Sequence, residues 1–143
     1  GTILTLSAEE LELGYRTSIV KKKGYIVLSA DLELAPGNRE EIKAKMEDLK
    51  ERRVSKQPLE LPSAGSTFKR PEGYFAGKLI MDAGLRGFTV GGAQVSEKHC
   101  GFVVNKGDAT AEDVVTLIRE VQRQVKDCFG VELETEVKFL GEF

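Results

Sequence analysis

Apolar residues recur along this chain at two spacings, and each spacing predicts its own kind of element. In "GYIVLSADLEL" the residues Ile26, Leu28, Ala30, Leu32 and Leu34 share one face at a period of two, which predicts a half-buried strand stopped by "PGN". The opening "GTILTL" reads as another strand. "SAEELELGYRTS" after it reads as a short helical turn, with Ser7 as N-cap and Glu10 three residues on, running into a loop at Gly14. Asn38 with Glu41 gives a similar capping pattern at the start of "REEIKAKMEDLKERRVS", where Ile42, Met46 and Leu49 line one stripe of an amphipathic helix.

The proline-punctuated stretch "KQPLELPSAGSTFKRPEG" has little periodicity and marks a boundary between two structural units. Beyond it, "YFAGKLIMDAGL" predicts a helix with Phe75, Leu79, Ile80 and Ala83 on one face and Gly84 as its stop. "FTVGGAQVS" and "CGFVVNKG" read as strands. Thr110 is expected to cap "AEDVVTLIREVQRQVKDCF", whose stripe is Val114, Leu117, Ile118, Val121 and Val125, with acidic residues in its first turn and Gly130 past its end. "VELETEVKFLGEF" alternates and predicts a last strand. Helices and strands mix without strict βαβ alternation, so the expected class is α+β: small mixed sheets packed with amphipathic helices.

Composition narrows the function classes. With 143 residues, 41% hydrophobic and 31% charged, the chain should fold as one ordinary domain or two small pieces. A net charge of -2 gives no support to a nucleic-acid partner. No apolar run approaches the ~18 residues a membrane span needs, so no membrane partner is expected. A chain that opens without methionine is expected to be a fragment of a longer protein. Cys100 and Cys128 lack metal-ligand spacing and His99 is the only histidine, so a zinc site is not expected; two buried thiols in a reducing cytoplasm are.

The stretch "PSAGSTFKRP" holds the first chemical candidate, Ser66, in a Gly/Ala bend followed by Lys69 and Arg70. Two readings stand there: a tight turn with a solvated basic flank, or a hydroxyl that delivers a proton to an anionic ligand. The nucleophile-elbow pattern G-x-S-x-G is absent and one histidine is a thin supply of base, which weakens a serine hydrolase. A proton donor needs only hydrogen-bond reach to a developing carbanion and neighbours that stabilise the oxygen it leaves charged; Lys69 is close enough in sequence to be one. Arg16 in "GYRTS" could clamp a carboxylate or phosphate bidentately, or simply be a surface residue. By pattern alone Glu136 in "LETEVKF" is a solvent-facing strand residue. The glycines of "GLRGFTVGGAQVSEKH" fit neither a P-loop nor a dinucleotide fingerprint, and the run Lys21–Lys23 reads as solvated.

Taken together, "GYRTS", "KQPLELPSAGSTFKRP", "FAGKLIMDAGLRGFTVGGAQVSEKHCGFVVN", "ATAEDVVTLI" and "GVELETEVKFLG" resemble successive segments of the UDP-N-acetylenolpyruvoylglucosamine reductase (MurB) family of bacterial cell-wall synthesis. The resemblance covers essentially the whole chain, but only the C-terminal part of that enzyme, and the shorter branch that lacks an extra tyrosine-bearing loop. It implies that residues 1–57 end the second FAD-binding subdomain and that 58–143 form the substrate-binding domain.

The resemblance further implies that NADPH reduces bound FAD, held mostly by the missing upstream region. The flavin then passes hydride to UDP-N-acetylglucosamine enolpyruvate, leaving an enolate to be protonated. Ser66 matches the family's proton donor, and Arg16 and Glu136 match the residues that hold and polarise the enolpyruvyl carboxylate. Tyr15, Lys56, Lys69, Arg70, Arg86 and His99 are the matching candidates for substrate binding; Gly101 stands where similar chains often carry Asn. The alternative is a non-catalytic UDP-sugar-binding module derived from the family. Self-association, or partial disorder, within residues 1–57 is a further expectation for a piece deprived of its natural neighbours.

Overall fold

The computed structural model describes residues 1–141 and divides the chain into a unit Gly1–Asn38 and a unit that begins at Arg39. In the first unit Ser7 and Glu10 cap each other as expected. The Ser7 N–H donates to Glu10 Oε2 at 2.8 Å, and the Glu10 N–H donates to Ser7 Oγ at 3.3 Å. The exposed lysines Lys21–Lys23 lie on a short helix, α1 (Ile19–Lys23), closed by Gly24 at φ 66°.

Neither strand expected in this unit forms. Residues 1–6 and 24–34 carry no strand, and Ile26 and Leu32 are 87% and 80% exposed. Alternation marks a face that could be buried, but a strand also needs a partner edge for its backbone. No described strand of Gly1–Asn38 offers one.

The second unit opens with the predicted helix, α2 (Arg39–Lys56), whose stripe residues Ile42, Met46 and Leu49 all stay exposed. A strand, β1 (Ser63–Ser66), then emerges from the stretch expected to be irregular. Helix α3 (Ala76–Asp82) buries Leu79 and Ile80, and Gly84 follows at φ 76°. Phe75, expected on its apolar face, precedes the helix as an extended residue and is exposed.

Strands β2 (Thr89–Val90), β3 (Ala93–Val95) and β4 (Phe102–Asn105) join β1 in an antiparallel sheet of order β1-β4-β3-β2. The β2–β3 turn needs glycine. A Cβ on Gly92 would stand 2.2 Å from the Gly107 carbonyl oxygen and 2.5 Å from the Ala109 nitrogen.

Helix α4 (Ala111–Phe129) packs on the sheet. Thr110 and Asp113 form its capping box, and Gly130 at φ 68° ends it. Its buried residues Leu117, Ile118, Val121 and Val125 share a core with Leu79, Ile80, Ala93, Val95 and Val103. Fully burying side chains of this size contributes about 1.5–3 kcal/mol each. The α+β class is as expected.

The last predicted strand reduces to one bridge, Phe68 with Thr135, within the described residues; residues 142–143 lie outside them. Cys100 is buried, but Cys128 is exposed at the last turn of α4, past the final buried stripe residue Val125. Among the described residues no helix is long and apolar enough to cross a membrane.

Candidate functional site

Ser66 owes its place to a register irregularity. Ser63 pairs with Val104 and Ser66 with Phe102, so three steps on β1 span two on β4. One residue is therefore extra, and the strand bulges. Gly65 takes the strain at φ 83°, a conformation costly to any residue with a Cβ. The bulge leaves Ser66 exposed at the strand's end.

The next residue, Thr67, ties this end down on three sides. Its N–H donates to the Gly101 carbonyl at 2.8 Å, and its buried hydroxyl accepts the Val103 N–H at 3.0 Å. Its carbonyl accepts the Glu136 N–H at 2.9 Å. Two residues on, the Lys69 N–H donates to the Glu134 carbonyl at 2.8 Å. Residues 67–69 thus run antiparallel to 134–136, with Phe68 opposite Thr135. Phe68 and Leu133 turn into the core, while Glu134 and Glu136 stay exposed. The ladder therefore brings Ser66 and Glu136, seventy positions apart in the chain, to adjacent rungs.

The other predicted residues of this unit divide. Lys69 pairs with the Glu134 carboxylate. Arg70 donates from Nε to the Tyr74 carbonyl at 3.2 Å and lies over the Phe75 ring, 4.0 Å from its centroid. Arg86 donates to the Glu97 carbonyl and reaches Met81 Sδ at 3.1 Å. Burial pushes the Cys100 thiol up, and the charge of Arg86 partly offsets this. Lys56 ends α2, exposed.

His99 sits in a turn shaped by the buried Ser96, whose Oγ accepts the N–H groups of Lys98 and His99, each at 3.2 Å. The His99 Nδ1 accepts the Gly101 N–H at 3.1 Å, and the ring meets Phe102 edge-on at 5.0 Å. Gly101 permits this: a Cβ there would come within 2.9 Å of His99 Cε1. Since Phe102 pairs with Ser66, the His99 turn borders the serine bulge. Thr67, Ser96 and Glu134 were not singled out from sequence; only the alternation of "LETEVKF" hinted that Glu134 and Glu136 share a face.

Arg16 and Tyr15 stand in the other unit, at the tip of a turn closed by Gly14 and Thr17 at 3.0 and 3.3 Å. Arg16 has φ 56°, a left-handed conformation uncommon for a residue with a Cβ, and its guanidinium lies 5.5 Å from the Tyr15 ring centroid.

Comparison with known proteins finds clear relatives. Residues 57–140 match the family described as "UDP-N-acetylenolpyruvoylglucosamine reductase, C-terminal domain". Proteins of that name from Agathobacter rectalis and Clostridioides difficile are 67% and 63% identical over 143 and 142 residues, covering 46% and 47% of their own lengths. The crystal structure of the Thermus caldophilus reductase (MurB) superposes with a TM-score of 0.76 at 39% identity, over 91% of this chain and 46% of that one. The chain thus spans under half the length of the curated relatives it matches.

Proposed function

The chain belongs to the UDP-N-acetylenolpyruvoylglucosamine reductase family through its C-terminal domain, and from that premise we propose that it is the C-terminal part of a flavin-dependent, cytoplasmic reductase. The reaction is conversion of UDP-N-acetylglucosamine enolpyruvate to UDP-N-acetylmuramate for peptidoglycan. Residues 1–57 would close the FAD-binding region and 58–143 would hold the substrate. The observation that carries this reading is the main-chain pairing of the 67–69 and 134–136 segments, which brings the exposed residues Ser66 and Glu136 to neighbouring rungs of one ladder.

A Cβ on Gly65 would meet nothing within 4 Å, so the space beside this residue of β1 is open. FAD, re-reduced by NADPH, supplies hydride to the enolpyruvyl double bond when bound. The chain's own residues manage the charge and the proton. Ser66 Oγ donates its proton to the carbanionic carbon of the substrate. Arg16 holds the enolpyruvyl carboxylate by charge-assisted hydrogen bonds. Glu136 helps polarise that group as its enolate forms. Arg70, Arg86, Lys56, His99 and Tyr15 are the candidates for the nucleotide-sugar, with Arg70 and Arg86 each already anchored by a backbone carbonyl.

Ser66→Ala in the complete reductase tests the assignment. NADPH should still reduce the flavin, while steady turnover with the UDP-sugar falls by about 10²–10⁴-fold, the usual worth of a general acid. Turnover at the wild-type rate would remove Ser66 from the mechanism.

A further inference from the structure

Lys69 and Glu134 face each other directly across the short ladder that carries Glu136 and begins one residue after Ser66. They are joined twice. The Lys69 N–H donates to the Glu134 carbonyl at 2.8 Å, and the Lys69 ammonium pairs with the Glu134 carboxylate. Phe68 and Thr135 form the pair between them that exchanges no hydrogen bonds, so side chains two apart share a face. Glu134 and Glu136 are therefore neighbours on one face, and Lys69 lies opposite the first and diagonal to the second. Lys138 continues that face, exposed. A slip of one residue in this ladder would turn Glu136 toward the core side occupied by Phe68 and Leu133.

Resting on the roles given above to Ser66 and Glu136, we propose that Lys69 and Glu134 are a positioning pair. Their cross-strand ion pair holds the register of 67–69 against 134–136 and balances the charge beside Glu136. Lys69 thereby acts through Glu134 and does not contact the nucleotide-sugar. Neither residue touches the reacting atoms. The backbone bonds of the ladder tolerate side-chain loss, so the pair governs where Glu136 sits more than whether the domain folds. Misplacement of a reacting group by a fraction of an ångström to one ångström lowers turnover by roughly 10–100-fold.

The test compares Lys69→Met, Glu134→Gln and the exchanged pair Lys69→Glu with Glu134→Lys in the complete, FAD-loaded reductase, with Ser66→Ala measured alongside. Each single variant should lower kcat for the UDP-sugar about tenfold or more while KM and NADPH-driven flavin reduction hold. The exchanged pair should recover most of that kcat, which a lysine bound to a diphosphate could not do. Loss in the exchanged pair as deep as in Lys69→Met, with KM raised, would overturn the proposal and make Lys69 a substrate ligand. Wild-type kcat in both single variants would overturn it as well. If the exchanged pair fails to retain FAD, Glu134→Gln decides: a kcat loss at constant KM supports the pair, and no loss refutes it. Blocked turnover in Ser66→Ala beside unaffected Lys69→Met would sink this inference alone. Wild-type turnover in Ser66→Ala would sink the functional reading beneath it.

Discussion

The backbone N–H of Glu136 donates to the carbonyl of Thr67 at 2.9 Å, so the carboxylate-bearing residue is held against the one that follows Ser66. Because this bond belongs to the main chain, it survives replacement of the exposed Glu136 side chain. Glu136→Gln should leave the unfolding free energy within about 0.5 kcal/mol of wild type. In the complete reductase it should cut turnover of the UDP-sugar about 100-fold. Denaturant titration and steady-state kinetics on the same preparation check both halves.

Acid should loosen the outer face of α4 in a defined window. Glu120 accepts hydrogen bonds from Arg123 at 2.6 and 3.0 Å and from Gln124 at 2.7 Å, and these hold its carboxyl at about 2, well below its usual 4.5. A carboxyl depressed by folding contributes stability that is fully present above pH 4.5 and lost as pH falls toward about 2. Arg123→Gln should move the Glu120 midpoint up toward 4.5 in a carboxyl NMR titration. A midpoint that stays put would mean the guanidinium is not its cause.

The two thiols should react at very different rates. Cys128 is exposed, whereas Cys100 is buried and its thiol is pushed up by that burial. A maleimide reagent at neutral pH should modify Cys128 quickly and Cys100 only as the domain opens. Intact-mass spectra over time would show one fast adduct; two fast adducts would contradict the burial of Cys100.

How far the sequence foretold all this depends on where each element finds its partners. Helix α4 was legible throughout because the Thr110–Asp113 box, the Leu117-to-Val125 stripe and the stop at Gly130 are local signals that agree. The segment with Ile26, Leu28, Leu32 and Leu34 was misread as a strand: alternation is local, but strand pairing is not, and the described residues of its unit supply no edge. β1 failed in the opposite sense. Its residues Ser63, Ala64 and Gly65 carry no strand signal, yet β4 supplies the ladder. The Lys69–Glu134 contact bridges 65 positions, and no local pattern reports it. Ser66, Arg16 and Glu136 were picked out by resemblance; by spacing alone they were a turn residue, a surface arginine and a solvent-facing glutamate.

The bulge between Ser63 and Ser66 has a consequence for engineering. The kink that ends β1 at Ser66 depends on a count of residues, three steps against two. Deleting a single residue at Ala64 or Gly65 would set two steps on β1 against two on β4, so the bulge would vanish while Ser66 still met Phe102. The kink is a matter of length, and Gly65, at φ 83°, is the one position within it whose identity the backbone dictates.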